Sequence, residues 1–78
     1  MGIMEFEELV DKERAYQDKL WGQQNYQPEK WLVILMEEIG EMAQEMLGCS
    51  QEAMEIELIQ CAAVLKAMWE SGKRNNWI

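Results

Sequence analysis

Apolar side chains recur along this chain at intervals of three and four residues, which is the spacing of one face of an α-helix. The first such stripe predicts a helix over about residues 4–20. Its members are Phe6, Leu9, Val10, Tyr16 and Leu20. The stretch 21–27 lacks this periodicity and is rich in amides, so we predict a loop there. No alternation typical of a strand is present in the sequence, which therefore predicts an all-α fold.

Two further helices are predicted from their ends. Pro28 suits the first turn of a helix, because its ring fixes φ and its missing N–H needs no partner there. We predict a second helix over about 28–47, with Gly48 as its C-cap. Ser50 suits the N-cap of a third helix over about 51–71. The short turn between these two helices predicts that they pack antiparallel.

Beyond residue 71 we expect a frayed polar tail over residues 72–76, followed by Trp77 and Ile78. The 78 residues form one domain, and a domain of this size buries only about 60% of its unfolded surface. Yet 49% of the residues are apolar, including four Trp and seven Met. We therefore expect the helices to pack against a second copy of the chain.

The charge excludes some classes of partner. The formal net charge is −8, with 15 acids, seven bases and no His, whereas nucleic acids and anionic membranes attract basic surfaces. We find no signal peptide and no long apolar run, and Cys49 and Cys61 have no metal-site or redox spacing. We expect a cytoplasmic protein with free thiols. It could still bind phosphates if a divalent cation bridges the two.

The acids are informative because of their positions around the predicted helices. At 100° per residue, Glu38 and Glu41 share one side of the second helix with apolar residues such as Trp31. Glu57 and Gln60 lie likewise on the apolar side of the third helix. Buried carboxylates must be protonated or paired. Hard oxygen ligands without His or Cys favour Mg²⁺, with Mn²⁺ as a close second.

A plainer interpretation of these acids stays open. Glu is a good helix former, and 15 of the 78 residues are acids. A Glu-Glu-x-x-Glu string in an acidic helix is therefore typical of ordinary solvated surface as well as of a metal site.

Two segments of the chain together resemble a known signature. Glu37-Glu38-Ile-Gly-Glu41, followed by Glu57-Leu-Ile-Gln60, resembles the EExxE…ExxD motif of the all-α nucleoside triphosphate pyrophosphohydrolases. This is the MazG-like group, which includes dimeric dUTPases and dCTPases. The loop Trp21-Gly-Gln-Gln-Asn-Tyr-Gln-Pro28 is similar to the Trp-containing loop of small members. The resemblance covers about residues 14–71. It also implies a homodimer or homotetramer that forms an oligomeric helical bundle, in agreement with the apolar excess.

The resemblance implies a reaction and a metal site. The group hydrolyses a nucleoside triphosphate between the α and β phosphates, giving the monophosphate and pyrophosphate, and often removes surplus or non-standard nucleotides. By position, Mg²⁺ would be held by Glu38, Glu41, Glu57 and Gln60. Glu37 would orient or deprotonate the attacking water.

The resemblance also implies contacts with the substrate. Trp21 matches a loop aromatic that would stack on the base. Trp31 is a second candidate, although its apolar stripe favours core packing. Lys30 is a candidate for binding the phosphates. Further candidates are Lys19, Lys73 and Arg74.

Gln60 departs from the pattern, since the group usually has Asp at this position. Gln offers a metal one neutral oxygen and no charge, so we expect weaker Mg²⁺ binding. Three functions therefore stay open: a nucleotide pyrophosphohydrolase, a weakened or inactive relative that binds nucleotide or a protein partner, and a plain helical assembly module.

Overall fold

The computed structural model describes residues 5–48 and 50–78, and within these ranges it contains three helices and no strand. They are α1 (Phe6–Trp21), α2 (Pro28–Gly48) and α3 (Gln51–Arg74). The predicted all-α fold with three helices is confirmed. Two predictions, the helix start at residue 4 and the free thiol of Cys49, fall on residues outside the described ranges.

The helix boundaries follow from local chemistry. Pro28 is the first residue of α2, and the Ser50 side chain accepts a hydrogen bond from the N–H of Ala53 at 3.3 Å, which caps α3. Trp21, predicted to lie in the loop, is instead the last residue of α1. Gly22 ends that helix at φ +73°, where its N–H bonds the Asp18 carbonyl at 2.8 Å. Only a residue without Cβ adopts this φ readily.

α3 is the central helix, and both other helices pack against it while the backbones of α1 and α2 stay apart. α2 and α3 form an antiparallel hairpin. The start of α2 therefore meets the second half of α3, where Trp31, Val64 and Ala67 make the buried core. Half-buried side chains surround this core. They are Tyr26, Ile34, Leu35, Met68 and Trp77.

The predicted frayed tail is wrong. α3 continues to Arg74, and Ser71 and Gly72 are buried. The N–H groups of Trp77 and Ile78 both point back to the Gly72 carbonyl, at 3.0 and 3.4 Å. The polar sequence predicted fraying, but the two apolar residues at its end fold back onto the helix and Trp77 packs against the core.

One buried base fastens α1 to α3. Arg14 is 9% exposed, and its guanidinium donates hydrogen bonds to Glu70 of α3 at 2.7 and 3.2 Å. It also donates to Asp18, one turn further along α1, at 3.0 Å. Lys66 and Asp11 form a second ion pair between the same helices. Charged groups thus join α1 to α3 at two points.

The apolar start of α2 is only partly covered. Within the segment 31–36, which is apolar throughout, Trp31 is 1% exposed. Leu32, Val33 and Met36 are instead 55–60% exposed in the single chain. In the described part of the chain, every helix is too short or too polar to cross a bilayer.

Candidate functional site

Three carboxylates meet between α2 and the first half of α3. Glu38 and Glu41 project from α2, and Glu57 projects from α3. One oxygen from each of these side chains lies within 4.8 Å of the others. The antiparallel hairpin brings the two helical faces together, as their apolar pattern predicts.

Two of the three acids are partly removed from water. Glu38 and Glu57 are half-buried, whereas Glu41 is exposed. Glu38 Oε2 and Glu57 Oε1 are fully buried and have no hydrogen-bond partner among the described residues. A buried carboxylate oxygen without a partner is costly, and an added donor or cation would lower that cost.

This environment opposes ionisation. The pKa of Glu38 is raised by burial first, then by the charges of Glu41 and Glu57. The pKa of Glu57 is raised by burial first, then by the charge of Glu41. Both shifts have the causes expected when acids crowd together without a cation.

The bases of the chain do not relieve this crowding. Arg14 pairs with Glu70 and Asp18, and Lys66 pairs with Asp11. Within residues 5–48 and 50–78, no ion pair joins a base to the three clustered acids. The cluster is thus an uncompensated patch of negative charge at a seam between helices.

Cys61 lies beside the acids, but its thiol is not expected to ionise or bind a metal there. It is a buried free thiol. Burial raises the pKa of its thiol, and the charges of Glu38, Glu57 and Glu41 raise it further. A neutral thiol is a poor nucleophile and metal ligand, so oxygen atoms define this site.

The two remaining residues of the resembled motif lie at the edge of the cluster. Gln60 is half-buried, one helical turn after Glu57 on the same side of α3. Glu37 is exposed, and its charge is a minor cause of the raised pKa of Glu38. Glu37 is therefore a solvent-exposed carboxylate close enough to Glu38 to act on it electrostatically.

A cleft of about 270 Å³ opens beside Glu38. Its walls come from the end of α1, the following loop and one side of the hairpin. The lining residues are Gln17, Trp21, Gln24, Tyr26, Ile34, Glu38 and Val64. An acidic cluster thus adjoins a cleft with two aromatic rings, Trp21 and Tyr26.

The loop that forms this cleft is held by the end of α3. Arg74 donates to Asn25 Oδ1 and to the Gln24 carbonyl, each at 3.0 Å. Asn75 donates to the same Asn25 oxygen at 3.0 Å. Gln24 in turn donates to the Tyr26 hydroxyl at 3.1 Å. Arg74, a candidate phosphate ligand in the sequence, here positions the loop.

Trp31 and Lys30, both predicted to contact the substrate, lie in different environments. Trp31 is buried in the core, which is the alternative that its apolar stripe favoured, and its ring lies 5.3 Å from that of Tyr26. Lys30 Nζ lies 4.2 Å from the centre of the Tyr26 ring. Lys30 is therefore attached to an aromatic wall of the cleft by a cation–π contact.

Three further residues of this site were not predicted from the sequence. Gln17 and Tyr26 line the cleft. Glu13 accepts a hydrogen bond from Gln17 at 3.3 Å, and its charge raises the pKa of Glu38 more than that of neighbouring Glu37 does. One signal was present: Glu13, Gln17 and Trp21 are spaced four apart, on one face of α1.

Comparison with known proteins finds no matching family model, no matching curated protein and no matching solved structure. The geometry of this chain is therefore the basis for any functional assignment.

Proposed function

We propose that this protein is a Mg²⁺-dependent nucleotide pyrophosphohydrolase that cleaves an NTP or dNTP to the monophosphate and pyrophosphate. The observation that carries the proposal is the meeting of Glu38, Glu41 and Glu57, whose carboxylate oxygens lie within 4.8 Å of each other. Two buried oxygens in this group have no partner in the described structure. The resemblance of the motif residues supplies the reaction class.

The donor set fits a hard divalent cation. Mg²⁺ binds oxygen ligands at about 2.1 Å, so two ligands of one ion lie about 3 to 4 Å apart. The three oxygens lie within 4.8 Å of one another, a limit somewhat wider than this range, so small side-chain shifts would complete the site. Glu38, Glu41 and Glu57 would hold the ion, with the Gln60 side-chain oxygen as a fourth ligand. Mn²⁺ accepts the same set.

The metal, when bound, would offset the charge of the phosphates and allow an acidic protein to bind an acidic substrate. The chain's own residues would do the rest. Trp21 would stack on the base across the cleft from Tyr26, and Lys30, beside that cleft, would meet the phosphates. Glu37 would accept the proton of the attacking water as the phosphate–phosphate link breaks.

The test is pyrophosphate release from a panel of NTPs and dNTPs with Mg²⁺. We expect turnover by the wild type and its loss, by about 10²–10⁴-fold, in Glu37→Gln. Glu38→Gln and Glu57→Gln should also lose turnover, with a weaker response to Mg²⁺. Glu52→Gln, at the exposed start of α3, is the matched control and should keep activity. A folded wild type that releases no pyrophosphate from any nucleotide sinks the proposal.

One observation favours a second candidate. Gln60 carries no charge where the resembled motif has an acid. A weakened or inactive protein would use the same cleft to bind nucleotide, or a protein partner, without hydrolysis. Tight nucleotide binding without pyrophosphate release would support this candidate over the first. If neither Mg²⁺ nor nucleotide changes the melting temperature, a plain helical assembly remains.

We also propose that the chain forms a homodimer or homotetramer in the cytoplasm. The support for the oligomer is the number of large apolar side chains that the single chain leaves more than a third exposed. The buried free thiol of Cys61 suits a reducing compartment.

A further inference from the structure

The loop between α1 and α2 (residues 22–27) forms part of the cleft wall but has few hydrogen bonds of its own. Its ends are fixed by the neighbouring helices, since the Gly22 N–H bonds back to α1 and the Gln27 carbonyl accepts from the first turn of α2. Within residues 5–48 and 50–78, no hydrogen bond between backbone groups involves residues 23–26. A segment of this kind opens easily unless side chains hold it.

Two residues at the end of α3 provide these side-chain bonds. The Arg74 guanidinium donates to Asn25 Oδ1 through Nε and to the Gln24 carbonyl through Nη2, each at 3.0 Å. Asn75 Nδ2 donates to the same Asn25 oxygen at 3.0 Å. We call Arg74 and Asn75 the loop clamp. It joins segments that are about 50 residues apart in the sequence.

The loop clamp is attached to the packed part of α3. Asn75 bonds the Ser71 carbonyl twice, through its backbone N–H at 2.9 Å and through its side-chain amide at 2.8 Å. Ser71 is fully buried, at 0% exposure. Trp77, two residues beyond the clamp, packs against the core. The loop is therefore tied to a rigid element, which is the arrangement that holds a binding site in place.

Asn25 can have only one role in this contact. A guanidinium donates hydrogen bonds and never accepts them, so the Asn25 atom that meets Arg74 must be the side-chain oxygen. The residues on either side of Asn25, Gln24 and Tyr26, both line the cleft. Gln24 Nε2 also donates to the Tyr26 hydroxyl at 3.1 Å. Two bonds to one oxygen thus fix the segment that places Gln24 and Tyr26 in the wall.

We propose that the loop clamp is a positioning device, through which Arg74 sets the affinity for nucleotide without touching it. This inference rests on the proposed function, because it takes the cleft as the nucleotide site. It differs from the phosphate-binding role that the sequence suggested for Arg74. The clustered acids project from α2 and the first half of α3, so loosening the loop should raise KM and leave kcat and the Mg²⁺ requirement unchanged.

The first measurement is affinity for α,β-methylene analogues of NTPs and dNTPs with Mg²⁺, together with KM and kcat for the nucleotides themselves. We expect Arg74→Ala and Asn25→Ala each to weaken affinity and raise KM by about tenfold, with kcat within about twofold of wild type. The double variant should lose less than the product of the two single losses, because both substitutions break the same contact. Independent, multiplied losses contradict the clamp.

Conservative variants separate positioning from direct phosphate binding. Arg74→Lys keeps the charge but cannot donate to both loop acceptors in the same way, so it should lose nearly as much affinity as Arg74→Ala. Asn25→Asp keeps the acceptor and should restore most of what Asn25→Ala loses. Lys12→Ala, which removes a charge from an exposed position of α1 outside the cleft, is the control and should keep wild-type affinity. Full affinity in Arg74→Lys or Asn25→Ala would overturn the proposal.

A second measurement needs no nucleotide. Amide order parameters from ¹⁵N relaxation should be near ~0.85 for residues 23–26 in the wild type and below ~0.6 in Arg74→Ala. A loop that is equally ordered in both proteins would show that the clamp does not hold it. If the wild type binds the analogues but releases no pyrophosphate, the enzymatic proposal fails and the clamp is still decided by affinity and loop order. If turnover is present and the clamp variants match the wild type, only the clamp fails.

Discussion

At the scale of single residues, the raised pKa values of Glu38 and Glu57 make stability depend on pH. Between the ordinary carboxyl pKa of about 4.3 and the raised values, the folded protein holds more protons than the unfolded chain. The free energy of unfolding without metal therefore falls as pH rises through this window. The measurement is the melting temperature in EDTA as a function of pH.

Substitutions separate the contribution of Glu38 to this pH dependence from the electrostatic repulsion among all the acids of the chain. Glu38→Gln should flatten the fall in melting temperature, while Glu52→Gln, distant at the exposed start of α3, should keep it. Mg²⁺ at neutral pH should stabilise the wild type more than NaCl of equal ionic strength does. An unchanged pH slope in Glu38→Gln would show that burial of this carboxyl is not what couples folding to protons.

Gln60 allows the missing charge to be restored. Gln60→Asp places a carboxylate one turn after Glu57, where the resembled motif has one. A unit charge near a divalent ion is worth several kcal/mol at close range, so Mn²⁺ should bind more than about tenfold tighter. Calorimetry or Mn²⁺ electron paramagnetic resonance measures this. Gln51→Asp adds the same charge at the start of α3 and should change affinity little; equal gains in both variants would contradict a ligand role for position 60.

Two tryptophans close in sequence should behave in opposite ways. Trp31 is 1% exposed in the core and Trp21 is 62% exposed at the cleft. Trp31→Ala should lower the free energy of unfolding by about 3–5 kcal/mol. Trp21→Ala should leave it nearly unchanged and weaken nucleotide binding. Urea unfolding and nucleotide titration separate the two effects, and a Trp21→Ala variant with full nucleotide affinity would remove Trp21 from the site.

At the scale of helices, replacing Gly40 and Gly72 by Ala should change the free energy of unfolding in different ways. A Cβ at Gly72 would lie 2.6 Å from Ile78 Cγ1, whereas a Cβ at Gly40 would meet nothing within 4 Å. Gly40→Ala should therefore stabilise by up to ~1 kcal/mol through helix propensity. Gly72→Ala should lose that gain, because the fold-back of Trp77 and Ile78 must shift. Chemical denaturation measures both, and equal stabilisation would mean that the fold-back contributes nothing.

The same contrast shows what the sequence can predict. The helices were predictable because their periodicity and the caps at Pro28 and Ser50 act within a few residues. The meeting of Glu38 with Glu57 was predictable because a short turn forces α2 and α3 together. The fold-back at Trp77 was not predictable. The polar residues before it indicate solvent exposure, and they carry no information on where Trp77 packs. Glu13 and Gln17 were missed because their place at the site depends on which side of α1 meets α3. That orientation involves the buried Arg14–Glu70 pair, whose members are 56 residues apart in the sequence.

At the scale of the whole molecule, the central position of α3 gives this helix three sides with different neighbours. One side of α3 holds α1 through Arg14, the side facing α2 carries Glu57, and the remaining side exposes Leu65. A substitution on one side should therefore leave the other two surfaces in place. This separation is what allows the metal, the cleft and the proposed oligomer to be tested one at a time.

The net charge of −8 sets how the proposed dimer responds to salt. Contact between exposed apolar side chains of two copies would favour association, while the net charge that each copy carries would oppose it. Raising the ionic strength from about 0.01 to 0.15 M shortens the screening length from ~30 to ~8 Å, so the repulsion weakens and the dimer Kd should fall. Sedimentation at several NaCl concentrations measures this. Ala15→Lys, at an exposed position of α1, lowers the repulsion without changing an apolar side chain of α2 or α3 and should make the salt dependence shallower. A dimer that dissociates as NaCl is added would mean that ion pairs, rather than apolar side chains, hold the two copies together.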